Sequence, residues 1–235
     1  MLVTPTPNRR NFSGLPWFGV SVPNEYPKGQ LTHLLRFVGI ILVAVGVMAF
    51  AIPCQTHASK NWKAKERIKS YPITGTTGRA LYASIGKHGP RLKGGRRTIA
   101  HTTFDLKWRR NYKPQGSACK LVSARPFLTI IYTVPKVKTN LTGPLASKWN
   151  RFYAGILTHE KVHGKYVREA VYEIMQSTVG LTVKNDLKCQ KIRTKVLQEV
   201  KTAYKNYSTK SRVFDQAETT SNGNVRQLVK ALVGE

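Results

Sequence analysis

The chain has 235 residues, 41% of them hydrophobic, and its 39 Lys+Arg against 11 Asp+Glu give a formal charge of +28. That is enough apolar material for one domain of moderate size plus a leader, and no internal repeat is visible. The charge favours an anionic partner (nucleic acid, phospholipid headgroups or an acidic cell envelope) or else a surface kept soluble by charge; no recognisable nucleic-acid motif accompanies it, so nucleic acid is not the expected partner.

Residues 1–36 are rich in Pro, Gly and Asn and carry Arg9, Arg10, Lys28 and Arg36, which reads as a disordered basic leader. From Phe37 to Cys54 the chain runs through Val38, Ile40, Leu42, Val45, Met48 and Ile52 without a charge. Such a run is membrane-directed, between a signal-peptide core and a spanning helix in length. Thr56-His57-Ala58 offers a cleavage site, whereas the long positive leader favours an uncleaved anchor, so residues 37–58 are expected to be a signal peptide or an anchor helix. Pro53 before Cys54 argues against a lipid anchor. Either outcome sends the residues beyond about 60 across the membrane, to be secreted or held there through residues 37–54.

Residues 59–70, SKNWKAKERIKS, read as a basic linker, with the folded domain spanning 71–235. Tyr71 to Gly75 reads as a short strand, Gly78 to Ile85 as a short helix, and His88-Gly89-Pro90 to Gly94-Gly95 as a loop. From Thr98 the pattern alternates: Ala100, Thr102, Phe104, Leu106 and Trp108 on one side, Ile99, His101, Thr103, Asp105 and Lys107 on the other. That is a strand with one apolar face. After a turn at Pro114-Gln115-Gly116, a second strand shows Val122, Ala124, Leu128, Ile130, Tyr132 and Val134 on one face, with Pro126 expected at an edge or a bulge because it cannot donate to a ladder. The two strands are expected to pair antiparallel as a small sheet against which long C-terminal helices pack, giving an α+β fold.

Gly143-Pro144 opens a long helix. Trp149, Phe152, Ile156, Glu160, His163, Val167, Ala170 and Ile174 follow a helical period, no proline occurs after Pro144, and Gly180 is a reasonable stop. Within it, His159-Glu160-Lys161-Val162-His163 places two imidazoles four residues apart on one face, where both can grip one metal ion. Neutral imidazoles suit zinc, and the glutamate between them would act as general base on a metal-bound water, the chemistry of a zinc hydrolase and usually of a peptidase. Chance supplies roughly 0.007 matches to such a motif in a chain of this composition, which sets this reading above that of two core histidines. A further helix is expected from Asn185 or Asp186, burying Cys189, Ile192, Val196, Val200, Ala203, Tyr204 and Tyr207. The tail holds Asp215, Glu218, an Asn222-Gly223 turn and the apolar cluster Leu228, Val229, Leu232 and Val233. With Cys54 in the leader, Cys119 and Cys189 remain as an even pair in an exported domain, either joined in a disulfide or left as two buried thiols.

Thr102-Thr103-Phe104-Asp105-Leu106-Lys107-Trp108, Cys119, Thr129 to Pro135, Trp149, Phe152 and the HEKVH segment together resemble a bacterial family known as domain of unknown function 922. Phe214-Asp215-Gln216-Ala217-Glu218, then Gly223-Asn224-Val225 and Leu228, are similar to one branch of it. The resemblance implies a secreted zinc-dependent protease with one zinc ion and a peptide or protein substrate. It also implies a His-Gly near the C-terminus, where this chain has Asn222-Gly223, and an amide is a poor zinc ligand. The third ligand is then sought among Glu218 first, Asp215 second and His101 third, and Tyr166 is a candidate donor to a developing oxyanion. The competing reading is a non-catalytic cell-envelope protein that binds anionic lipid or polysaccharide through its basic surface.

Overall fold

A computed structural model describes residues 62–234, apart from Lys93; the readings made of the leader, of the apolar segment 37–54 and of its cleavage site lie outside the described residues. Among the described residues no helix is long and apolar enough to cross a membrane.

The first strand, β1, spans Lys65–Ile73 and so begins inside the stretch read as a linker. Its sequence, KERIKSYPI, carries no apolar alternation; the ladder to a later strand holds it, with nearly every side chain before Ile73 left in water. Helix α1, Gly78–His88, is capped by the Thr77 hydroxyl, which accepts from the Ala80 N–H at 3.1 Å, and runs past the expected stop at Ile85.

The alternating segment forms β2, His101–Gln115, and turns into β3, Ala118–Val137. The strand order is β1-β3-β2, with β2 antiparallel and β1 parallel to β3. The sheet is therefore mixed rather than wholly antiparallel: with α1 intervening, β2 runs opposite to β1, and β3, returning from β2, then lies parallel to β1. A short β4, Thr182–Val183, adds antiparallel at Cys119 and Lys120. Pro126 pairs with Trp108 on β2 in the part of β3 that β1 and β4 do not reach, so its missing N–H costs no ladder bond on that open side. A register shift at Asn111/Tyr112 pairs Ser123 and then Leu121 with successive residues of β2, skipping Val122. One extra residue flips the faces, so Leu121 is fully buried and Val122, expected inside, is 40% exposed.

Helix α2, Gly143–Thr178, lays Trp149, Phe152, Ile156, Glu160, His163, Val167, Val171, Ile174 and Met175 on its buried face. Helix α3, Lys191–Thr219, starts later than expected because a tight turn precedes it. The Asp186 carboxylate accepts from the N–H groups of Gln190, Lys191 and Ile192 at 2.7, 3.1 and 2.8 Å, and Cys189 takes a positive φ of 54° before the helix begins. The Cys119–Cys189 disulfide ties this turn to the start of β3. Helix α3 then runs back along α2, linked by Asn206 to Glu173 at 2.7 Å and by Lys210 to Glu169 at 3.0 Å. Helix α4, Asn224–Val233, inserts Val225 and Leu232 beside Leu81, Trp149, Phe152 and Ile156. A second buried group, Leu128, Ile130, Tyr132, Val167, Val171 and Met175, joins β3 to α2 in the middle of the sheet. Fully burying side chains of this size contributes about 1.5–3 kcal/mol each, which is what presses the motif helix onto the sheet.

Candidate metal centre

The depth of α2 against the sheet is set one residue after the motif. A Cβ on Gly164 would stand 2.2 Å from the hydroxyl of Tyr132, a side chain only 1% exposed, so the bare glycine lets the helix approach. Tyr132 in turn donates to Glu66 on β1 at 3.1 Å, and Glu66 pairs with Arg168, one turn of α2 beyond Gly164. Helix and sheet are thus fixed to each other beside the two histidines.

His159 and His163 point their Nε2 atoms at each other, 3.2 Å apart. Oδ1 of Asp215, from α3, lies 3.2 Å from the first and 2.9 Å from the second. Three ligands of a tetrahedral zinc ion, held at about 2.0–2.1 Å, stand about 3.3 Å from one another, close to the edges of this triangle. Three lone-pair atoms converging in this way call for a cation or a proton between them, so the donor set fits a divalent metal of the zinc type. The two imidazoles are 10% exposed, whereas Asp215 is about half exposed at the rim.

Glu218, one turn further along α3, lies on the far side of His159. Its Oε2 is 3.5 Å from Nδ1, within ion-pair range but too long for a formed hydrogen bond, and that buried nitrogen has no other partner. Ligand histidines commonly give their second ring nitrogen to a carboxylate, which fixes ring orientation and tautomer. The order of candidates is therefore reversed: Asp215 completes the triangle and Glu218 stands behind it. The separation of the two roles follows from which of the imidazole nitrogens each carboxylate can reach.

Glu160 is 5% exposed and receives the Thr102 hydroxyl at 2.5 Å on Oε2; the same hydroxyl lies 3.1 Å from its backbone carbonyl. Burial raises the Glu160 pKa, against the Thr102 hydrogen bond and the two imidazoles, which lower it. Burial works to lower His159, but Asp215, Glu160 and Glu218 outweigh it and raise the group. For Asp215 burial is likewise outweighed by the two histidines, which hold it at about 2. These directions describe an ion pair that the metal-free site forms and that a metal would replace.

Thr102 and Phe214 stand in the segments that resemble the family, but neither is singled out by the sequence as a site residue. Thr102 is the lone hydroxyl among Ala100, Phe104, Leu106 and Trp108 on the buried face of β2, and that oddity was the available signal. Phe214 stacks on His159 at 4.8 Å and stands edge-on to His163 at 5.5 Å, walling the triangle from the α3 side. Tyr166 meets Phe214 and His163 edge-on at 6.0 and 6.4 Å, which places its ring beside the site. His101 opens β2, with burial lowering its pKa and the charges of His163 and Asp215 acting on it in opposite senses; it does not enter the triangle. A surface groove of about 820 Å³, lined by Trp62, Arg168 and Tyr172 among others, contains none of these residues.

The family model described as "Bacterial protein of unknown function (DUF922)" matches residues 68–223, a span that includes every residue of the triangle and Glu160. No curated protein and no solved structure matches the chain.

Proposed function

The chain belongs to this DUF922 family of bacterial proteins, and from its site we propose that it is a zinc-dependent hydrolase acting on peptide bonds. The observation that carries the reading is the triangle of His159 Nε2, His163 Nε2 and Asp215 Oδ1, with edges of 2.9 to 3.2 Å, beside the buried carboxyl of Glu160. Bound there, zinc would supply a Lewis acid that polarises a carbonyl and makes water a nucleophile near neutral pH.

The residues of the chain do the rest. Thr102 occupies Oε2 of Glu160 and leaves Oε1 as the atom that would take a proton from the attacking water and return it to the leaving amine. Phe214 stacks on the His159 ring, and Glu218 stands within ion-pair range of its second nitrogen, where it would steady the ring. Tyr166, whose ring lies 6.4 Å from that of His163, would donate its hydroxyl as charge develops on the scissile carbonyl. Export is part of the proposal, supported by the disulfide and by the apolar run at 37–54.

Metal content, measured by mass spectrometry on protein purified without a metal-affinity tag, tests the site. Wild type is expected to hold about one zinc per chain and His163→Ala to lose it. Glu160→Gln is expected to keep the zinc while hydrolysis of a peptide library falls by about 100-fold or more. Hydrolysis undiminished in a zinc-loaded Glu160→Gln protein would sink the mechanism, and no stoichiometric metal in folded, zinc-reloaded wild type would sink the site.

A further inference from the structure

The two faces of the sheet differ in kind. One packs Leu128, Ile130 and Tyr132 against the helices. On the other, the register sets Lys65, Arg67 and Lys69 of β1 beside Thr129, Ile131 and Thr133 of β3. The same face carries Lys107 and Arg109 of β2 beside Phe127 and Arg125 of β3. All six cations are exposed, and the one carboxylate among them is Asp105, 3.8 Å from Lys107. Phe127 is 45% exposed, with the guanidinium carbons of Arg109 and Arg125 at 5.8 and 5.5 Å from its ring centre.

Like charges directly opposite on neighbouring strands repel, and a shared aromatic ring offsets only part of that cost. Arg109 and Arg125 are such a pair, so the face is in a state that an external anion relieves. Same-face residues along a strand are about 6.6–6.8 Å apart, and the cations occupy three strands, which makes a plane of charge rather than a line. Single-stranded nucleic acid is gripped by rows of open aromatic platforms; among these residues the one large exposed ring is Phe127, already flanked by two arginines. A plane of cations around one apolar tip suits the surface of a bilayer. The sequence adds that a charge-free apolar run ends at Cys54, eleven residues before Lys65, a tether of at most about 40 Å.

We infer that the outer face of the sheet docks on an anionic phospholipid surface, independently of the metal centre. The test is amine footprinting of the full chain in vesicles, reading initial acetylation rates of individual lysines by mass spectrometry. Neutral phosphatidylcholine vesicles are compared with vesicles holding about 30% phosphatidylglycerol. Lys65, Lys69 and Lys107 are expected to react about threefold or more slowly on the anionic vesicles at low salt, and to recover when salt is raised to about 0.5 M. Lys161, Lys165 and Lys195 on the helices are expected to stay unchanged. Arg109→Glu combined with Arg125→Glu, checked for an unaltered circular dichroism spectrum, is expected to lose the protection. Equal rates on the two vesicle types, or equal protection of the helix lysines, would overturn the inference. Protection by an added single-stranded oligonucleotide but not by anionic lipid would overturn it as well, and would give the face to nucleic acid. The readout needs no metal, so it stands or falls apart from the zinc reading.

Discussion

Replacing Asp215 and Glu218 one at a time by alanine decides which carboxylate belongs to the metal. Oδ1 of Asp215 is 2.9 and 3.2 Å from the two Nε2 atoms, whereas Oε2 of Glu218 is 3.5 Å from the opposite nitrogen of His159. Losing a carboxylate that only orients a ligand histidine costs about 10–100-fold in metal affinity, or about 1.4–2.7 kcal/mol. That is the loss expected for Glu218→Ala. Asp215→Ala removes a ligand atom and leaves two imidazoles, so its loss is expected to exceed about 100-fold, with Asp215→Asn close behind because an amide oxygen is a poor zinc donor. The assay is competition for zinc against a chromophoric chelator, with all variants compared at the same pH of about 8, above the ordinary histidine range. Circular dichroism of each metal-free variant confirms that the fold is kept. A Glu218→Ala loss equal to or larger than that of Asp215→Ala would refute the ligand assignment.

Gly164→Ala should place a methyl 2.2 Å from the Tyr132 hydroxyl, an overpacking cost of about 1–3 kcal/mol that outweighs the gain of up to about 1 kcal/mol from helix propensity. Denaturant unfolding should show net destabilisation, partly reversed by Tyr132→Phe in the same chain; a variant at least as stable as wild type would show that the helix is not held at this depth. The Cys119–Cys189 bridge spans 70 residues and on the chain-entropy view stabilises by about 4 kcal/mol. The doubly alanine-substituted protein should therefore melt about 8–16 °C lower, and a shift under about 2 °C would contradict a constraint of that size. At Asp186, burial works to raise the pKa, but the N–H groups of Ile192, Lys191 and Gln190 and the Lys191 charge outweigh it and lower it; the side chain is 4% exposed, covered by its own turn and not sunk deep in the core. A lowered folded pKa contributes stability that is fully present above the unfolded value of about 3.9 and is lost as pH falls through the folded value, so the melting gap between wild type and Asp186→Ala should be constant above about pH 5 and shrink below about pH 4. A gap that stays flat or widens on acidification would contradict this role.

Much of the architecture was readable because burial in this chain follows simple periods. The alternation from Ala100 to Trp108 and the helical spacing from Trp149 to Ile174 each describe one face against one core, and both survive in the structure. The failures come where no period operates. The first strand joins the sheet through its backbone while Lys65, Arg67 and Lys69 stay in water, so side chains carried no sign of it. Val122 was assigned to the wrong face because a bulge is a property of two strands at once, and one strand read alone keeps its phase.

The candidate metal site divides along the same line. His159, Glu160 and His163 share one helix, so a fixed rise and turn determine their relation and five letters suffice to place them. Asp215 lies 52 residues beyond His163, and its position depends on how far α3 has slid along α2. That slide is set by contacts with no metal chemistry of their own: the disulfide at Cys189, the Asp186 turn, and the Asn206–Glu173 and Lys210–Glu169 contacts. Asp215 and Glu218 are three residues apart and face the same neighbour, so composition cannot rank them. A shift of one turn, about 5.4 Å, would exchange which carboxylate meets the Nε2 atoms. In the proposed site the third ligand is thus a consequence of helix register, and variants that loosen the register at Lys210 or Asn206 should weaken metal binding without touching a proposed ligand.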